Sequence, residues 1–264
     1  MIDSMNNVLT IAGSDPGGGA GIQADLRVLD HLGLYGLSAI TALTAQNTRG
    51  VQEVFEVPAL QLNAQLVSII ADFSLTATKT GMLPEVDIID EVSKHAEDGE
   101  LGILVVDPVT VSTSGTRLSS KECAGRLVSR LLPHCQLVTP NIEEAAALTG
   151  ITVADESGAM DAARALVAAG AGAACVTGGH WPGTPVDYLF DGSSMHMLQG
   201  TRIDPDSNVH GTGCLFSAAA TSFLALGDEV HESVVKAKQL VERAIFAAIS
   251  PGGGMKVPRL PRLA

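Results

Sequence analysis

The residues best suited to chemistry lie at 210–214, a His-Gly-Thr-Gly-Cys turn that runs directly into a helix-like segment of small residues. Backbone N–H groups at a helix start are unpaired, and together with the helix dipole they bind anions such as a phosphoryl group. We therefore interpret Gly211, Thr212 and Gly213 as an anion-binding turn. Cys214 would stand at its mouth, where the dipole favours the thiolate, so its thiol is predicted to act as a base or a nucleophile.

Further polar or glycine-rich clusters follow predicted strands. The cluster at 13–21 is rich in glycine, but it lacks the Gly-Lys-Ser/Thr end of a P-loop and the spacing of a dinucleotide fingerprint. It predicts a loop whose backbone approaches a small ligand, with Asp25 in the helix behind it. A second cluster contains Gln46, whose amide offers an acceptor beside a donor and could read the edge of an aminopyrimidine.

Four more clusters follow predicted strands, and three of them suit a metal or a nucleotide. Asp107 could bind Mg²⁺ through water or cap a turn, and Met82 stands at a loop mouth, where methionine is also ordinary core filler. Asn141 and Glu144 could arrange Mg²⁺, although an early-turn carboxylate also complements the helix dipole. The glycines of 177–180 would let a nucleotide lie against the backbone. Together the clusters indicate phosphoryl transfer to a small hydroxylated acceptor.

Alternating apolar runs and helical patterns predict the elements that position these clusters. Strands are predicted at 8–12, 38–44, 76–80, 103–107, 136–139, 173–177, 186–190 and 195–203. Helices are predicted at 22–32, 60–71, 86–95, 120–132, 142–148, 158–169, 213–226 and 230–249. This order favours one α/β domain over 1–264, with a mainly parallel sheet, helices on both faces and a hairpin at Asp191-Gly192. Ligands of such sheets bind at the carboxyl ends of strands, where the clusters fall.

Composition argues against several classes of partner. The formal net charge of −13 and the aromatic content of 3% oppose binding to nucleic acid or to an anionic membrane. The four cysteines show no C-x-x-C spacing, which argues against a zinc site or a disulfide framework. Residues 1–7 lack the features of a signal peptide, so we expect a cytoplasmic protein, and 250–264 is predicted to be a flexible C-terminal tail.

In their order, the motifs resemble those of the hydroxymethylpyrimidine/phosphomethylpyrimidine kinases of thiamine biosynthesis, members of the ribokinase-like superfamily. The resemblance extends from about residue 8 to about residue 250 and is carried by segments 13–25, 42–48, 79–83, 107–109, 139–145, 178–180 and 210–214.

The resemblance implies a three-layer αβα sandwich, often dimeric, that uses ATP and Mg²⁺. Its reaction is phosphorylation of 4-amino-5-hydroxymethyl-2-methylpyrimidine and then of the monophosphate. Cys214 would stand where many relatives carry a catalytic aspartate. We assign the substrate site to Gln46, Gly13, Asp25, Thr44, Met82 and Val109. We assign the nucleotide site to Asn141, Glu144, Thr177, Gly179 and Asp107, with Glu144 and Asp107 as metal ligands.

Two cations that relatives commonly place near the phosphate path are replaced here. Thr177 stands where relatives show the lysine of Lys-Gly-Gly-His, and Thr113 where they show that of Ala-Lys-Ser-Gly; Thr110 replaces a methionine. A pyridoxal kinase of the same superfamily is therefore an alternative, and a non-catalytic pyrimidine or nucleotide sensor is another. A cysteine hydrolase is a further alternative, although the sequence assigns no His/Asp partner to Cys214.

Overall fold

One sheet of nine strands forms the middle layer of the computed structural model, which describes residues 6–110, 120–179, 181, 183–203 and 209–261. The strands are β1 (Asn7–Ser14), β2 (Tyr35–Asn47), β3 (Gly50–Glu56), β4 (Leu75–Thr80), β5 (Ile103–Val106), β6 (Leu137–Val138), β7 (Ala174–Val176), β8 (Val186–Phe190) and β9 (Met195–Gln199). Their order in the sheet is β3-β2-β1-β4-β5-β6-β7-β8-β9; strands from β2 to β7 in this order run parallel, whereas β3, β8 and β9 are antiparallel to their neighbours.

Helices cover both faces of this sheet. The helices are α1 (Gly21–His31), α2 (Ala59–Ile70), α3 (Val86–Glu97), α4 (Lys121–Arg126), α5 (Ile142–Thr149), α6 (Glu156–Ala168), α7 (Thr212–Ala225) and α8 (Val230–Phe246). α1, α7 and α8 lie together on one face, and α2 to α6 follow one another across the other face. The predicted three-layer αβα class is confirmed. Within the described ranges, no helix combines the length and the apolar character needed to cross a membrane.

The sequence of the central strands explains why both faces are covered. β5 reads Ile-Leu-Val-Val and three of its four residues are buried, as expected for a parallel strand with helices on either side. One apolar cluster joins the sheet to α2 through α6, with Leu62 and Val92 in its interior. A second joins it to α1, α7 and α8 around Val28 and Ala219.

The prediction missed β3 and the last three residues of β2, 45–47. β3 is an edge strand of sequence Gly-Val-Gln-Glu-Val-Phe-Glu, and its charged, exposed positions hide the apolar alternation by which strands are recognised. β2 continues past the predicted end at 44 because it pairs with β3 as far as Asn47. The predicted β8–β9 hairpin is present.

Several residues of the predicted tail, of which 250–261 are described, are hydrogen-bonded to the rest of the chain. Ile249 and Val257 exchange backbone hydrogen bonds, and the Val257 side chain is buried. The Met255 N–H donates to the Thr48 carbonyl at 2.7 Å. The pattern of glycines and prolines suggested flexibility, but those residues let the chain pass close to the β2–β3 turn, since a Cβ on Gly254 would lie 2.0 Å from the Thr48 oxygen.

Candidate active site

A cavity of about 890 Å³ lies at the carboxyl ends of the parallel strands. This volume is within the usual range for small-molecule sites. All but one of the residues that the sequence assigns to a site line this cavity; the exception is Asp25, which lies beneath it. The residues that line the cavity are Gly13, Thr44, Gln46, Met82, Asp107, Val109, Asn141, Glu144, Thr177, Gly179, Gly211, Thr212, Gly213 and Cys214. His180 and Thr113 fall outside the described residues.

The anion-binding turn has the predicted geometry. Gly211 is the N-cap of α7 at a φ of 87°, and a Cβ there would lie 1.9 Å from the Gly19 carbonyl oxygen. Glycine is therefore required at this position by backbone conformation and by space. No side chain caps the helix and its first turn carries no acidic residue. The free N–H groups of this turn thus face the cavity without an internal anion.

The ionisation of Cys214 differs from the expectation drawn from the helix dipole. Burial raises the pKa of the Cys214 thiol to about 12, and the carboxylates of Asp107 and Asp25 add to this, while Lys79 acts in the opposite direction. The dipole does not outweigh desolvation at this depth. In the free protein the thiol is therefore neutral at neutral pH, and the predicted thiolate is wrong for this state.

Lys79 is one of the site residues to which the sequence analysis gave no role. It is 2% exposed and its Nζ lies 2.9 Å from Asp25 Oδ2 and 3.8 Å from Asp107 Oδ2. Burial alone would lower the pKa of Lys79, but the negative charges of Asp25 and Asp107 raise it above its ordinary value. A lysine inside a strand with buried neighbours was the available signal, because buried lysines are almost always paired.

Asp25 is thereby reassigned from the substrate pocket to the floor beneath it. Its Oδ2 accepts from Thr10 Oγ1 at 2.6 Å and from Lys79 Nζ, and its side chain is 1% exposed. Gly81 makes the room for this ammonium, since a Cβ there would lie 3.1 Å from Lys79 Nζ. Asp25 holds the ammonium of Lys79, which lines the cavity, whereas Asp25 itself does not line it.

Two buried carboxylates line the middle of the cavity. Asp107 accepts from Ser217 Oγ at 2.7 Å, and burial raises its pKa although Lys79 opposes the shift. Burial, reinforced by the negative charge of Asp107, raises the pKa of Glu144 to about 8. Two acids that repel each other in a buried cavity are poised to bind a cation.

Asn141 and Glu144 also form a reciprocal capping box at the start of α5. The Glu144 N–H donates to Asn141 Oδ1 and the Asn141 N–H donates to Glu144 Oε2, each at 2.9 Å. Glu144 therefore stabilises the helix start, as the dipole argument suggested, and it also lines the cavity, while its role toward Mg²⁺ stays a prediction.

The Glu144 carboxyl should make stability depend on pH. Its folded pKa of about 8 lies above the ordinary glutamate pKa of 4.5, so its stabilising contribution is present at low pH and is lost as pH rises through 8. We expect Glu144→Gln to raise the free energy of unfolding by about 1–3 kcal/mol at pH 8.5 and to change it little at pH 5. Urea unfolding at both pH values measures this. The exposed neighbour Glu143→Gln is the control, and an equal effect of both variants would contradict the assignment.

Gln46 reaches the cavity from the extension of β2. The register with β3 shifts between Ala45 and Gln46, and such an irregularity can redirect a side chain. The Gln46 Oε1 atom lies 3.3 Å from Thr44 Oγ1, and its Nε2 lies 2.9 Å from Nε2 of His210. The motif at 210–214 contained this histidine, but spacing alone could not show that its ring meets residue 46.

Cations at the other end of the cavity also escaped the sequence reasoning. Lys238 on α8 lies 2.7 Å from Asp187 Oδ2, and Asp187 Oδ1 accepts from the Gly178 N–H at 3.1 Å. Arg202 donates to the carbonyls of Gly179 and Trp181. The wall that lacks a lysine at 177 is therefore lined by a lysine and an arginine from distant segments.

The layered sheet and the anion-binding helix start together define the class, a ribokinase-like phosphotransferase. The sequence matches the family described as phosphomethylpyrimidine kinase over residues 15–258. It is 44% identical over 248 residues to the hydroxymethylpyrimidine/phosphomethylpyrimidine kinase of Streptomyces coelicolor, with 94% of this chain and 91% of that protein covered. The chain therefore belongs to the phosphomethylpyrimidine kinase family, and the resemblance found in its motifs is confirmed.

Solved structures place the same fold in two kinds of kinase. The pyridoxal kinase of Bacillus subtilis, solved as an ADP complex, superposes with a TM-score of 0.89 at 35% identity, covering 97% of this chain and 98% of that one. The phosphomethylpyrimidine kinase of Clostridium difficile gives a TM-score of 0.80 at 36% identity, covering 91% and 99%. The fold of this chain is thus similar both to that of a pyridoxal kinase and to that of a phosphomethylpyrimidine kinase.

Proposed function

We propose that the protein transfers the γ-phosphoryl group of ATP to 4-amino-5-hydroxymethyl-2-methylpyrimidine and then to the resulting monophosphate. The observation that carries the proposal is that one cavity contains both the Gln46 amide and the anion-binding turn that ends at Cys214. The amide complements an aminopyrimidine edge, and the turn complements a transferring phosphoryl group.

In the proposed reaction the substrate hydroxyl oxygen bonds to the γ-phosphorus while the bond from that phosphorus to the leaving ADP oxygen breaks. The N–H groups of Gly213 and its neighbours stabilise the charge on the phosphoryl oxygens. Cys214 first releases its thiol proton to solvent, an ionisation that Lys79 favours, and the thiolate then takes the proton of the substrate hydroxyl.

The donor set fits a Mg²⁺ ion, which we propose as the metal. Mg²⁺ typically takes one or two carboxylates together with phosphates and water, and Asp107 and Glu144 provide two buried carboxylates with raised pKa values. Among the residues described, no group of three or more His, Cys, Asp or Glu side chains could hold a metal without such help. When bound, the ion would neutralise phosphate charge.

Steady-state assays with Mg-ATP test the proposal directly. We expect turnover of the hydroxymethylpyrimidine and of its monophosphate, with mono- and diphosphate products separated by chromatography. A folded protein that phosphorylates neither compound would refute the proposal. Formation of monophosphate alone would restrict the activity to the first step, where the acceptor carries no phosphate.

Pyridoxal phosphorylation is the second candidate, favoured by the superposition on the Bacillus subtilis pyridoxal kinase. The 44% identity to a pyrimidine kinase favours the first candidate. We expect kcat/KM to be at least about tenfold higher for the pyrimidine than for pyridoxal, a difference of about 1.4 kcal/mol in transition-state stabilisation. The reverse ratio would assign the protein to the pyridoxal kinases.

We further propose that the protein is cytoplasmic and that it forms a homodimer. The four thiols of each chain are free, which suits a reducing compartment. Leu43 and Phe55 are cross-strand partners and are 47% and 62% exposed, and Leu60 nearby in the chain is 84% exposed. Sedimentation should give a dimer that Phe55→Lys weakens; a native monomer at micromolar concentration would refute the assembly.

A further inference from the structure

Ser217 on α7 contacts one of the two carboxylates proposed to bind Mg²⁺, yet the proposed reaction gives it no role. Its Oγ donates to Asp107 Oδ2 at 2.7 Å, and the side chain is fully buried. The two residues are 110 positions apart in the chain, and they meet because α7 packs against β5, which Asp107 directly follows. A buried hydroxyl on a metal-binding carboxylate is placed to affect how the ion is held.

The hydroxyl proton has three acceptors within reach, and the carboxylate is the strongest of them. Ser217 Oγ lies 3.1 Å from the backbone oxygens of Gly213 and of Cys214, but 2.7 Å from Asp107 Oδ2. Hydrogen bonds to an ionised acceptor are shorter and stronger than those to a neutral carbonyl. The proton is therefore donated to Asp107, while the two backbone oxygens place the hydroxyl next to the anion-binding turn.

The two carboxylate oxygens of Asp107 have different surroundings. Oδ2 accepts from Ser217 and lies 3.8 Å from Lys79 Nζ, a distance too long for a direct hydrogen bond. Within the described ranges Oδ1 has no hydrogen-bond or ion-pair partner, and Asp107 lines the cavity. The short bond from Ser217 thus fixes the rotation of the carboxylate and leaves Oδ1 as the oxygen available to a cation.

The same serine links this carboxylate to the anion-binding turn. Ser217 lies about one helical turn after Gly213, on the helix whose first N–H groups face the cavity. The rigid helix joins the turn to the hydroxyl, and the hydroxyl joins the helix to Asp107. In phosphoryl transfer the metal and the anion-binding groups act on oxygens of the same phosphate chain, so their separation affects the rate.

We infer that Ser217 is a positioning residue, which holds Asp107 Oδ2 so that Oδ1 is presented to a Mg²⁺ ion bound together with the nucleotide phosphates. The inference rests on the proposed function. Ser217 itself does not line the cavity, so it acts through Asp107. Groups that orient a metal ligand in this way typically contribute about ten- to hundredfold to metal affinity or activity.

The test compares the Mg²⁺ dependence of turnover in the native enzyme and in Ser217→Ala, at saturating ATP and pyrimidine. We expect the half-saturating concentration of free Mg²⁺ to rise by about tenfold or more, while KM for the pyrimidine changes by less than about twofold. If Ser217→Ala lowers kcat but leaves the Mg²⁺ dependence unchanged, the residue acts only on structure and the inference is overturned.

Ser222 provides the matched control. It lies on the same helix, is equally buried, and donates to the backbone oxygen of Ala218 at 2.7 Å. Ser222→Ala should therefore keep the native Mg²⁺ dependence, and a shift equal to that of Ser217→Ala would count against the inference.

A milder pair of variants decides the question if Ser217→Ala does not fold. Ser217→Cys nearly keeps the side-chain volume but replaces the hydroxyl by a weak donor, so the half-saturating Mg²⁺ concentration should rise by about threefold or more relative to Ser222→Cys. Equal Mg²⁺ dependence of the two cysteine variants would overturn the inference.

Calorimetric binding of AMP-PCP, an ATP analogue that does not transfer its γ-phosphoryl group, gives a readout independent of turnover. Binding of metal and nucleotide is reciprocal, so Mg²⁺ should lower the Kd of the native protein for AMP-PCP, and Ser217→Ala should reduce this effect by about tenfold. If the native protein phosphorylates neither pyrimidine, the proposed function fails, but the ratio of Kd values without and with Mg²⁺ still decides the inference. A native ratio of one, or an equal ratio in Ser217→Ala, overturns it.

Discussion

A Cys214→Ala enzyme is expected to turn over about 10²-fold or more slowly than the native enzyme, with KM values little changed. A positioned proton acceptor contributes to the transition state far more than to substrate binding, so its loss appears in kcat. Because the pKa of the thiol is raised to about 12, the thiolate fraction grows about tenfold per pH unit below that value. The native rate should therefore rise from pH 7 to pH 9, and the variant should lose this rise. Initial rates at saturating Mg-ATP across this range measure both effects.

Cys135 provides the matched control. Burial also raises the pKa of its thiol to about 12, but it does not line the cavity. Cys135→Ala should keep both the rate and its pH dependence, provided that urea unfolding shows the variant to be folded. If kcat of Cys214→Ala equals that of the native enzyme, Cys214 is not the base, and the anion-binding turn acts by charge stabilisation alone.

Replacement of Lys79 by methionine should lower the free energy of unfolding by about 3–5 kcal/mol, the usual cost of leaving buried charges without their partner. Both Asp25 and Asp107 lose their cation in this variant. The loss should be smaller at pH 5 than at pH 8, because a buried carboxylate without a partner takes up a proton more readily as pH falls. Urea unfolding at the two pH values measures the difference.

Second-site and surface variants distinguish this charge effect from a packing effect. Asp25→Asn combined with Lys79→Met removes one orphaned charge and should recover part of the lost stability. Lys94→Met removes an ammonium that is 61% exposed and paired with Glu91, and it should change stability by less than about 0.5 kcal/mol. If Lys79→Met is as mild as Lys94→Met, the buried cluster does not contribute as described.

The strands and helices that position the site could largely be predicted because their periodicity is local. The apolar run of β5 and the small residues of α7 each identify an element without reference to the rest of the chain. β3 could not be recognised in this way, since an edge strand with charged, exposed positions has no distinctive apolar pattern. Its pairing with β2 is a feature of the assembled sheet and leaves no local pattern in the sequence of β3.

The sequence by itself determined the motifs, their order and their arrival at one edge of a parallel sheet, because chain direction brings the carboxyl ends of parallel strands together. Gly13, Asp107 and Glu144 all reach one cavity for this reason. Only the tertiary structure decided the charge of Cys214, the pairing of Lys79 with Asp25 and the contact of His210 with Gln46. Desolvation and ion pairing depend on which groups surround an atom, and those groups come from segments far apart in the chain.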